Sequence, residues 1–405
     1  MPKIKMTKNT ASQPIASGGI KMPWAALPLL PPLALYIHIP WCVRKCPYCD
    51  FNSHTAHNVL PQEEYVNALL DDFAQDLNTV YNRKLTSIFF GGGTPSLFSA
   101  AALSYILKNI EAHIQFADEI EITLEVNPST VEQENFVSYR KLGINRLSIG
   151  IQSFQKNKLQ ALGRIHDADE ALRAVNMAHK AGFNNFNLDL IYGLPGQSLG
   201  DALRDLRQAI ILKPTHLSWY QLTIEPNTIF WSQPPTLPEE NTLWEIQKAG
   251  QSLLAKNGYT QYEVSAYAQS GYQAQHNLNY WNFGDFIGIG AGAHSKLSHP
   301  DGRIVRTWKT RMPNDYMNLD KTFQAGTKEL TKEELPFEFL MNALRLTEGV
   351  DANLYTQRTN LDLDSLNKGR SQAEYSGLMQ IKPSQLAATN RGQLFLNDLL
   401  QKFLN

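Results

Sequence analysis

The stretch YIHIPWCVRKCPYCDF, residues 36–51, contains all three cysteines of the chain, Cys42, Cys46 and Cys49. It begins in an apolar run that is typical of a β-strand. Thiolates are the usual ligands of iron–sulfur clusters, and a cubane needs four of them to saturate its iron atoms. Three cysteines leave one iron with an open coordination position, where a reacting ligand can bind. The CxxxCxxC spacing therefore predicts a [4Fe–4S] cluster with room for a ligand.

Two other interpretations of the three thiols remain open at this point. With His38, His54 or His57 they would make a Cys3His zinc site. Structural zinc sites usually join two separated ligand pairs, however, and this chain has no second pair of cysteines. Three unrelated buried thiols are a further alternative, which the close spacing disfavours. The cluster is the preferred interpretation.

Composition narrows the class of protein. The 405 residues carry a net charge of −1 without a run of lysine and arginine, so we expect no nucleic-acid partner. No apolar stretch is long enough to predict a membrane span. Three cysteines within eight residues argue against a disulfide framework and indicate a reducing compartment, so a cytoplasmic location is expected. Several prolines interrupt residues 1–32, which we predict to be a disordered extension.

Short β-rich runs alternate with segments of helical apolar spacing, which predicts parallel strands joined by helical crossovers. The strand-like runs are residues 35–39, 87–90, 120–126, 146–152, 185–192 and 217–224. Six such units fit an α/β fold with a partial, TIM-like (β/α)6 barrel, and a doubly wound open sheet is the alternative. Glu125, Gln152 and Asp189 each lie near the carboxyl end of a run, where parallel α/β folds bind their ligands.

The rhythm of strands and helices ends near residue 300. Residues 33–300 are therefore predicted to form the core, with residues 301–405 as a small, mainly helical C-terminal domain. Residues 243–254, 335–346 and 394–404 are expected to be helices, and residues 286–294, which contain the glycine-punctuated motif GIGAGAH, could close the sheet.

CxxxCxxC directly after the first strand of such a barrel resembles the radical S-adenosylmethionine (SAM) superfamily. In that superfamily the cluster passes an electron to bound SAM and cleaves it to a 5′-deoxyadenosyl radical, so an electron donor would be a further partner. GGGTP at residues 91–95 follows the second strand and resembles the superfamily's loop for the amino-acid end of SAM. A glycine triplet alone would suit any tight turn, but its position directly after the second strand supports its assignment to SAM binding.

A closer resemblance is to the oxygen-independent coproporphyrinogen III oxidase group. It rests on YIHIPWC, FFGGGTPS, EVNP, SIGIQSF, LGRIHD and LIYGLPGQ, which appear in the order that the group has them. The resemblance implies a SAM pocket lined by Tyr36, Tyr48, Gly92, Gly93, Thr94, Glu125, Gln152, Arg164 and Asp189. Taken alone, Arg164 could equally form a surface salt bridge, and Asp189 could cap a strand.

Two departures from the oxidases favour their sister group, the HemW-type haem chaperones. Phe51 stands where the oxidases have an additional cysteine, and the N-terminal extension does not resemble theirs. The sister group also has the motif HNxxYW, here His276, Asn277, Tyr280 and Trp281. The resemblance implies haem binding at this motif and haem transfer to an acceptor protein. The alternative is a coproporphyrinogen III oxidase or another radical SAM enzyme acting on a tetrapyrrole.

The residue types alone do not decide whether the HNxxYW motif binds haem. Haem iron commonly takes a histidine ligand in an apolar, often aromatic, pocket, and Tyr272 and Phe283 could add to the aromatic wall. A histidine such as His276 in an aromatic stretch can also be simply packed and hydrogen-bonded.

Overall fold

The computed structural model describes residues 30–56, 59–128, 135–318 and 320–404. Most of the predicted N-terminal extension, and His57, lie outside these residues. The strands are β1 (Leu33–Ile39), β2 (Trp41–Cys42), β3 (His54–Thr55), β4 (Leu85–Gly92), β5 (Phe116–Val126), β6 (Arg146–Gln152), β7 (Phe186–Tyr192), β8 (His216–Gln221), β9 (Thr260–Gln261), β10 (Ala266–Ala268), β11 (Asp285–Ile289), β12 (His294–Ser298), β13 (Ile304–Lys309), β14 (Gln324–Glu329), β15 (Val350–Asp351) and β16 (Gln385–Leu386).

Helices alternate with the strands of the core and dominate the C-terminal region. The α-helices are Gln62–Asp76, Ala100–His113, Phe136–Lys141, Lys156–Ala161, Ala168–Lys180, Leu199–Ile211, Ile229–Ser232, Glu240–Lys256, Gln275–Trp281, Pro313–Tyr316, Leu335–Ala343, Ala352–Thr359, Asn367–Tyr375, Asn390–Leu394 and Leu396–Gln401. Short 3₁₀ turns span Leu77–Thr79, Pro95–Leu97 and Leu363–Leu366.

One large sheet organises the molecule, in the order β14-β13-β12-β11-β1-β4-β5-β6-β7-β8-β10-β9. The six predicted strands are confirmed as β1, β4, β5, β6, β7 and β8, and each pairs in parallel with the next. Consecutive parallel neighbours joined by helices form the predicted partial (β/α)6 arrangement. The carboxyl ends of all six strands consequently lie along one edge, which positions the candidate site.

The segment that was expected to close the sheet does not do so. Residues 285–289 form β11, which pairs in parallel with β1, the first strand. The outer edge of β8 is instead covered by the antiparallel strand β10. From β11 the sheet continues through antiparallel strands to β14.

The C-terminal helices pack around a second apolar core. Phe339, Leu340, Tyr355 and Leu399 are buried at its centre. The helix predicted over residues 394–404 is confirmed in part, as the short helix Leu396–Gln401, and a separate short helix, Asn390–Leu394, precedes it. Phe395, between them, has φ −114° and ψ 48°, which lies outside the helical region and interrupts the hydrogen-bond ladder.

A capping box fixes the start of the helix Ala168–Lys180. The Asp167 carboxylate accepts a hydrogen bond from the backbone N–H of Glu170 at 2.9 Å, and the Glu170 carboxylate accepts one from the N–H of Asp167 at 3.0 Å. We expect Asp167→Ala to lower the free energy of unfolding by about 1 kcal/mol in urea titrations, because the Glu170 N–H in the first turn of the helix loses its acceptor. Asp167→Asn, which keeps the acceptor oxygen, should stay close to wild type; equal losses in both variants would refute the capping role.

Candidate functional site

A cavity of about 470 Å³ opens at the carboxyl ends of the parallel strands. Most of the sequence-predicted site residues lie in its wall. Those residues are Cys42, Cys46, Tyr48, Cys49, Gly92, Gly93, Thr94, Glu125, Gln152, Arg164, Asp189, Asn277 and Trp281. Residues from the loop after β1, from the carboxyl ends of β4, β5, β6 and β7, and from the later helix Gln275–Trp281 therefore meet in one place.

Backbone pairing ties the two ends of the cysteine loop together. Strand β2, which ends at Cys42, pairs in parallel with β3, and the Ala56 N–H donates to the Cys42 carbonyl at 2.8 Å. All three cysteines are free thiols of intermediate burial, and burial raises the pKa of the Cys42 thiol to about 11. The Arg164 Nη1 lies 3.8 Å from the Cys46 sulfur. Three thiols at one cavity with a guanidinium beside them fit the donor set of a cluster whose sulfurs carry negative charge.

The zinc interpretation finds no support among the described residues. There, no three His, Cys, Asp or Glu side chains lie close enough together to hold one metal ion. His38 has both ring nitrogens in hydrogen bonds, to the Tyr36 hydroxyl at 3.0 Å and to the Asn52 carbonyl at 2.9 Å. In a cubane each cysteine binds a different iron atom, so the three sulfurs need not converge on one point.

The glycine triplet lets two loops approach closely. Gly92 has φ 113°, and a β-carbon there would lie 2.5 Å from the His38 ring. A β-carbon on Gly93 would lie 2.5 Å from the Trp41 carbonyl oxygen. Packing against β1 and against the start of the cysteine loop thus requires these glycines even before a ligand is considered. The Gly92 N–H donates to Glu125 Oε2 at 3.1 Å, which connects the triplet to the next strand.

Two buried carboxyl groups, those of Glu125 and Asp189, line the cavity. Asp189 accepts hydrogen bonds from the Ser148 hydroxyl at 3.0 Å and the Asn187 amide at 2.8 Å, and burial raises its pKa. Burial and the nearby Asp189 raise the pKa of Glu125 to about 8, against the opposing effect of the Gly92 N–H. A nearby positive charge would stabilise the ionised form of both carboxyl groups, so the pair suits a cationic ligand. Asp189 faces the cavity and is more than a strand-end cap.

Arg164 and Gln152 occupy constrained positions in the same wall. Arg164 Nη2 donates to the Gly150 carbonyl at 2.8 Å and to Asn127 Oδ1 at 3.2 Å, so the side chain forms no surface salt bridge. Its buried Nε has no hydrogen-bond partner among the described residues. Gln152 adopts φ 68°, uncommon for a residue with a side chain, and its Oε1 accepts from the Tyr220 hydroxyl at 3.0 Å. Strained backbone of this kind often lies at functional sites.

The HNxxYW helix divides its side chains between two cavities. Asn277 and Trp281 line the first, whereas Tyr280 lines a second cavity of about 390 Å³ together with Tyr36. His276 is only 2% exposed: Nδ1 bonds to the Ser87 hydroxyl and Nε2 to the Tyr280 hydroxyl, both at 2.9 Å. Burial, with a smaller contribution from Arg146, lowers the pKa of His276 to about 3. The imidazole is therefore neutral and fully hydrogen-bonded.

Sequence reasoning missed several cavity residues and included two that lie elsewhere. Tyr272 and Phe283 line neither cavity, and Phe283 is buried against Phe339 with ring centroids 5.5 Å apart. Arg345, in contrast, reaches the first cavity and stacks 4.4 Å from the Trp281 ring. Ser218 and Tyr220 of β8 also line it, and the strand-end rule could have identified them. No local pattern marks Arg345.

No helix in the described parts of the chain has the length and apolarity needed to cross a membrane.

Comparison with known proteins matches both regions of the chain. Residues 36–209 match the Radical SAM superfamily, and residues 330–395 match the HemN C-terminal domain. In structure, the chain is similar to coproporphyrinogen III oxidase (HemN) from Escherichia coli, with a TM-score of 0.79, 23% identity, and coverage of 92% of this chain and 90% of the other. That similarity supports a HemN-like radical SAM fold with a helical C-terminal region.

Similarity in sequence is higher. The heme chaperone HemW of Haemophilus influenzae is 51% identical over 382 residues, covering 93% of this chain and 99% of the relative. HemW of Escherichia coli K12 is 51% identical over 375 residues with the same coverage. The radical SAM scaffold, the motif set and this full-length similarity show that the chain belongs to the heme chaperone HemW family.

Proposed function

We propose that this protein binds haem and passes it to an acceptor protein, on a scaffold that also holds a [4Fe–4S] cluster and SAM. The observation that carries the proposal is the second cavity, whose wall includes Tyr36, Phe51, Tyr280 and Phe286. An aromatic wall suits a flat apolar macrocycle. This cavity adjoins the first, because Phe51, Gly92 and Glu125 line both. The names of the HemW relatives point to the same cargo.

The first cavity is the proposed cofactor site. Cys42, Cys46 and Cys49 would hold the cluster, which when bound supplies an electron, received from an external donor, for SAM cleavage. The other lining residues would orient SAM. The carboxyl groups of Glu125 and Asp189 would face its cationic groups, which favour their ionised forms, and Arg164 offers a guanidinium to its carboxylate. Tyr48, Gln152 and Thr94 complete the wall, whereas Tyr36, which the resemblance also assigns to SAM, lines the second cavity and not the first.

The HNxxYW helix is the proposed haem-side element. Tyr280 presents its ring to the second cavity, while Asn277 and Trp281 line the neighbouring one. His276 anchors this helix, because its ring bonds to Ser87 on β4 and holds the Tyr280 hydroxyl. The motif would thus shape the haem pocket as a unit.

Coproporphyrinogen oxidation is the second candidate and has weaker support. An intact SAM-type wall favours it. Phe51, which takes the place of the oxidases' additional cysteine, counts against it, because its side chain is 59% exposed at the mouth of both cavities and offers no thiol. An apolar surface at that position favours binding of a macrocycle.

We also propose the division into residues 1–32, 33–300 and 301–405, with β13 and β14 as the part of the last unit that extends the sheet. The second apolar core lies mostly in the last unit, although it also includes Tyr262, Ala266, Ala268 and Phe283 of the middle one. A cytoplasmic location is proposed from the three free, closely spaced cysteines.

Haemin titration of the anaerobically reconstituted full-length protein, followed at the Soret band, tests the function. We expect saturable one-to-one binding, and Phe51→Ala should weaken it about fivefold to tenfold because an apolar contact is lost. Tyr375→Ala is the matched control, since Tyr375 is 96% exposed and lines neither cavity. If wild type shows no saturable binding and instead decarboxylates coproporphyrinogen III with SAM and a reductant, the oxidase is the function.

A further inference from the structure

A haem iron needs an imidazole nitrogen that is free to bind it. His38 lines the second cavity, and both of its ring nitrogens are in hydrogen bonds. The same is true of His276, in the helix Gln275–Trp281 beside that cavity. Binding iron through His276 would also require a ring that is 2% exposed to leave the Ser87 and Tyr280 hydroxyls. The motif histidine is therefore a poor iron ligand in this arrangement.

His294 has the opposite properties. It begins β12, is exposed and lines the second cavity with Tyr280 and Phe286. Its ring nitrogens form no hydrogen bond with any described residue, and its ring stacks beside Trp308 with centroids 6.5 Å apart. Of the two described histidines that line this cavity, His38 and His294, only His294 has ring nitrogens without a hydrogen-bond partner.

We infer that His294, rather than His276, is the axial ligand of haem, with the macrocycle seated in the second cavity against Phe51, Tyr280 and Phe286. The inference rests on the proposed function and assigns its iron-binding residue.

The charges around His294 suit both the iron and the edge of the macrocycle. Partial burial of the ring, followed by the nearby Arg306 and Arg311, lowers the pKa of His294, so the ring is neutral and its lone pair is available near neutral pH. Arg306 is already paired with Glu338 at 2.6 Å. The exposed Arg311 side chain has no ion-pair partner among the described residues, so its guanidinium can pair with a haem propionate.

The cluster loop holds the His294 turn in place. The Asn52 amide donates to the Ala291 carbonyl and to the Arg311 carbonyl, both at 2.8 Å. Gly292 has φ 80°, and a β-carbon there would lie 2.5 Å from the Asn52 amide nitrogen. The segment that carries the histidine is thus fastened to the loop that carries the three cysteines, three residues beyond Cys49.

The test is a haemin titration of the anaerobically reconstituted full-length protein with resonance Raman spectra of the ferrous complex. We expect wild type to show an iron–histidine band, and His294→Ala to lose it and to bind haemin at least about tenfold more weakly. Added imidazole should restore the band in His294→Ala. His276→Ala should keep the band, even where it loosens the helix. His113→Ala is the matched control, because His113 is exposed at the end of the outer helix Ala100–His113.

The outcomes separate this inference from the proposed function. An unchanged band and affinity in His294→Ala would overturn the ligand assignment while leaving haem binding in place. Loss of the band in His276→Ala alone would assign the iron to the motif histidine instead. Failure of wild type to bind haemin would remove both the function and the ligand.

Discussion

Cys46→Ser is expected to abolish the iron–sulfur cluster. After anaerobic reconstitution, wild type should contain about four iron and four sulfide per chain, and the variant close to none. The chain has only three cysteines, all in this loop, so no other thiol can replace the missing ligand. A serine hydroxyl ionises far less readily than a thiol and is a poor substitute ligand for iron. Cys42→Ser and Cys49→Ser should behave in the same way, because each cysteine would bind its own iron atom.

Ser53→Ala is the matched control for this loss. The Ser53 hydroxyl lies 3.9 Å from the Cys49 sulfur, so the variant changes the cluster's surroundings without removing a ligand. It should retain wild-type iron and sulfide. Circular dichroism of the variants without iron establishes that each still folds. Wild-type iron content in all three serine variants would place the metal elsewhere in the chain.

The strand ends were predictable because parallel pairing has only one geometry. Once the apolar runs were assigned as consecutive parallel strands, their carboxyl ends had to meet at one edge. Glu125, Gln152 and Asp189 lie there as the positions in the sequence indicate. The cysteines were predictable for a different reason, since ligand spacing within one loop is written directly in the sequence.

Contacts between distant segments were not predictable in this way. Periodicity identifies an apolar strand but not its neighbour, so the pairing of β11 with β1 could not be inferred from residues 285–289. Arg345 reaches the cavity only because the C-terminal helices pack against the sheet. The burial of His276 has the same origin: its partner Ser87 lies 189 positions earlier in the chain. A motif names the residue types of a site, whereas the fold decides which of them remain free to bind.

SAM affinity is expected to rise with pH through the titration of Glu125. Its pKa of about 8 leaves the carboxyl mostly protonated at neutral pH, because burial and Asp189 disfavour its charge. A cationic ligand binds the carboxylate form, so binding below pH 8 must first displace a proton. From pH 6.5 to pH 8.5 the affinity should increase roughly 25-fold, provided that bound SAM lowers the pKa below this range.

Glu125→Gln removes the titrating group and keeps an oxygen for the Gly92 N–H. Its SAM affinity should stay low and nearly constant over the same pH range, measured by equilibrium dialysis with the reconstituted protein. The raised pKa of Glu125 makes the folded state less stable as pH rises through about 8, because the buried carboxyl must then ionise. Glu125→Gln removes this ionisation, so at pH 8.5 the variant should unfold at no lower temperature than wild type. Glu63→Gln, in an exposed first turn of the helix Gln62–Asp76, should keep the wild-type pH dependence. A Glu125→Gln profile as steep as that of wild type would assign the linked proton to another group.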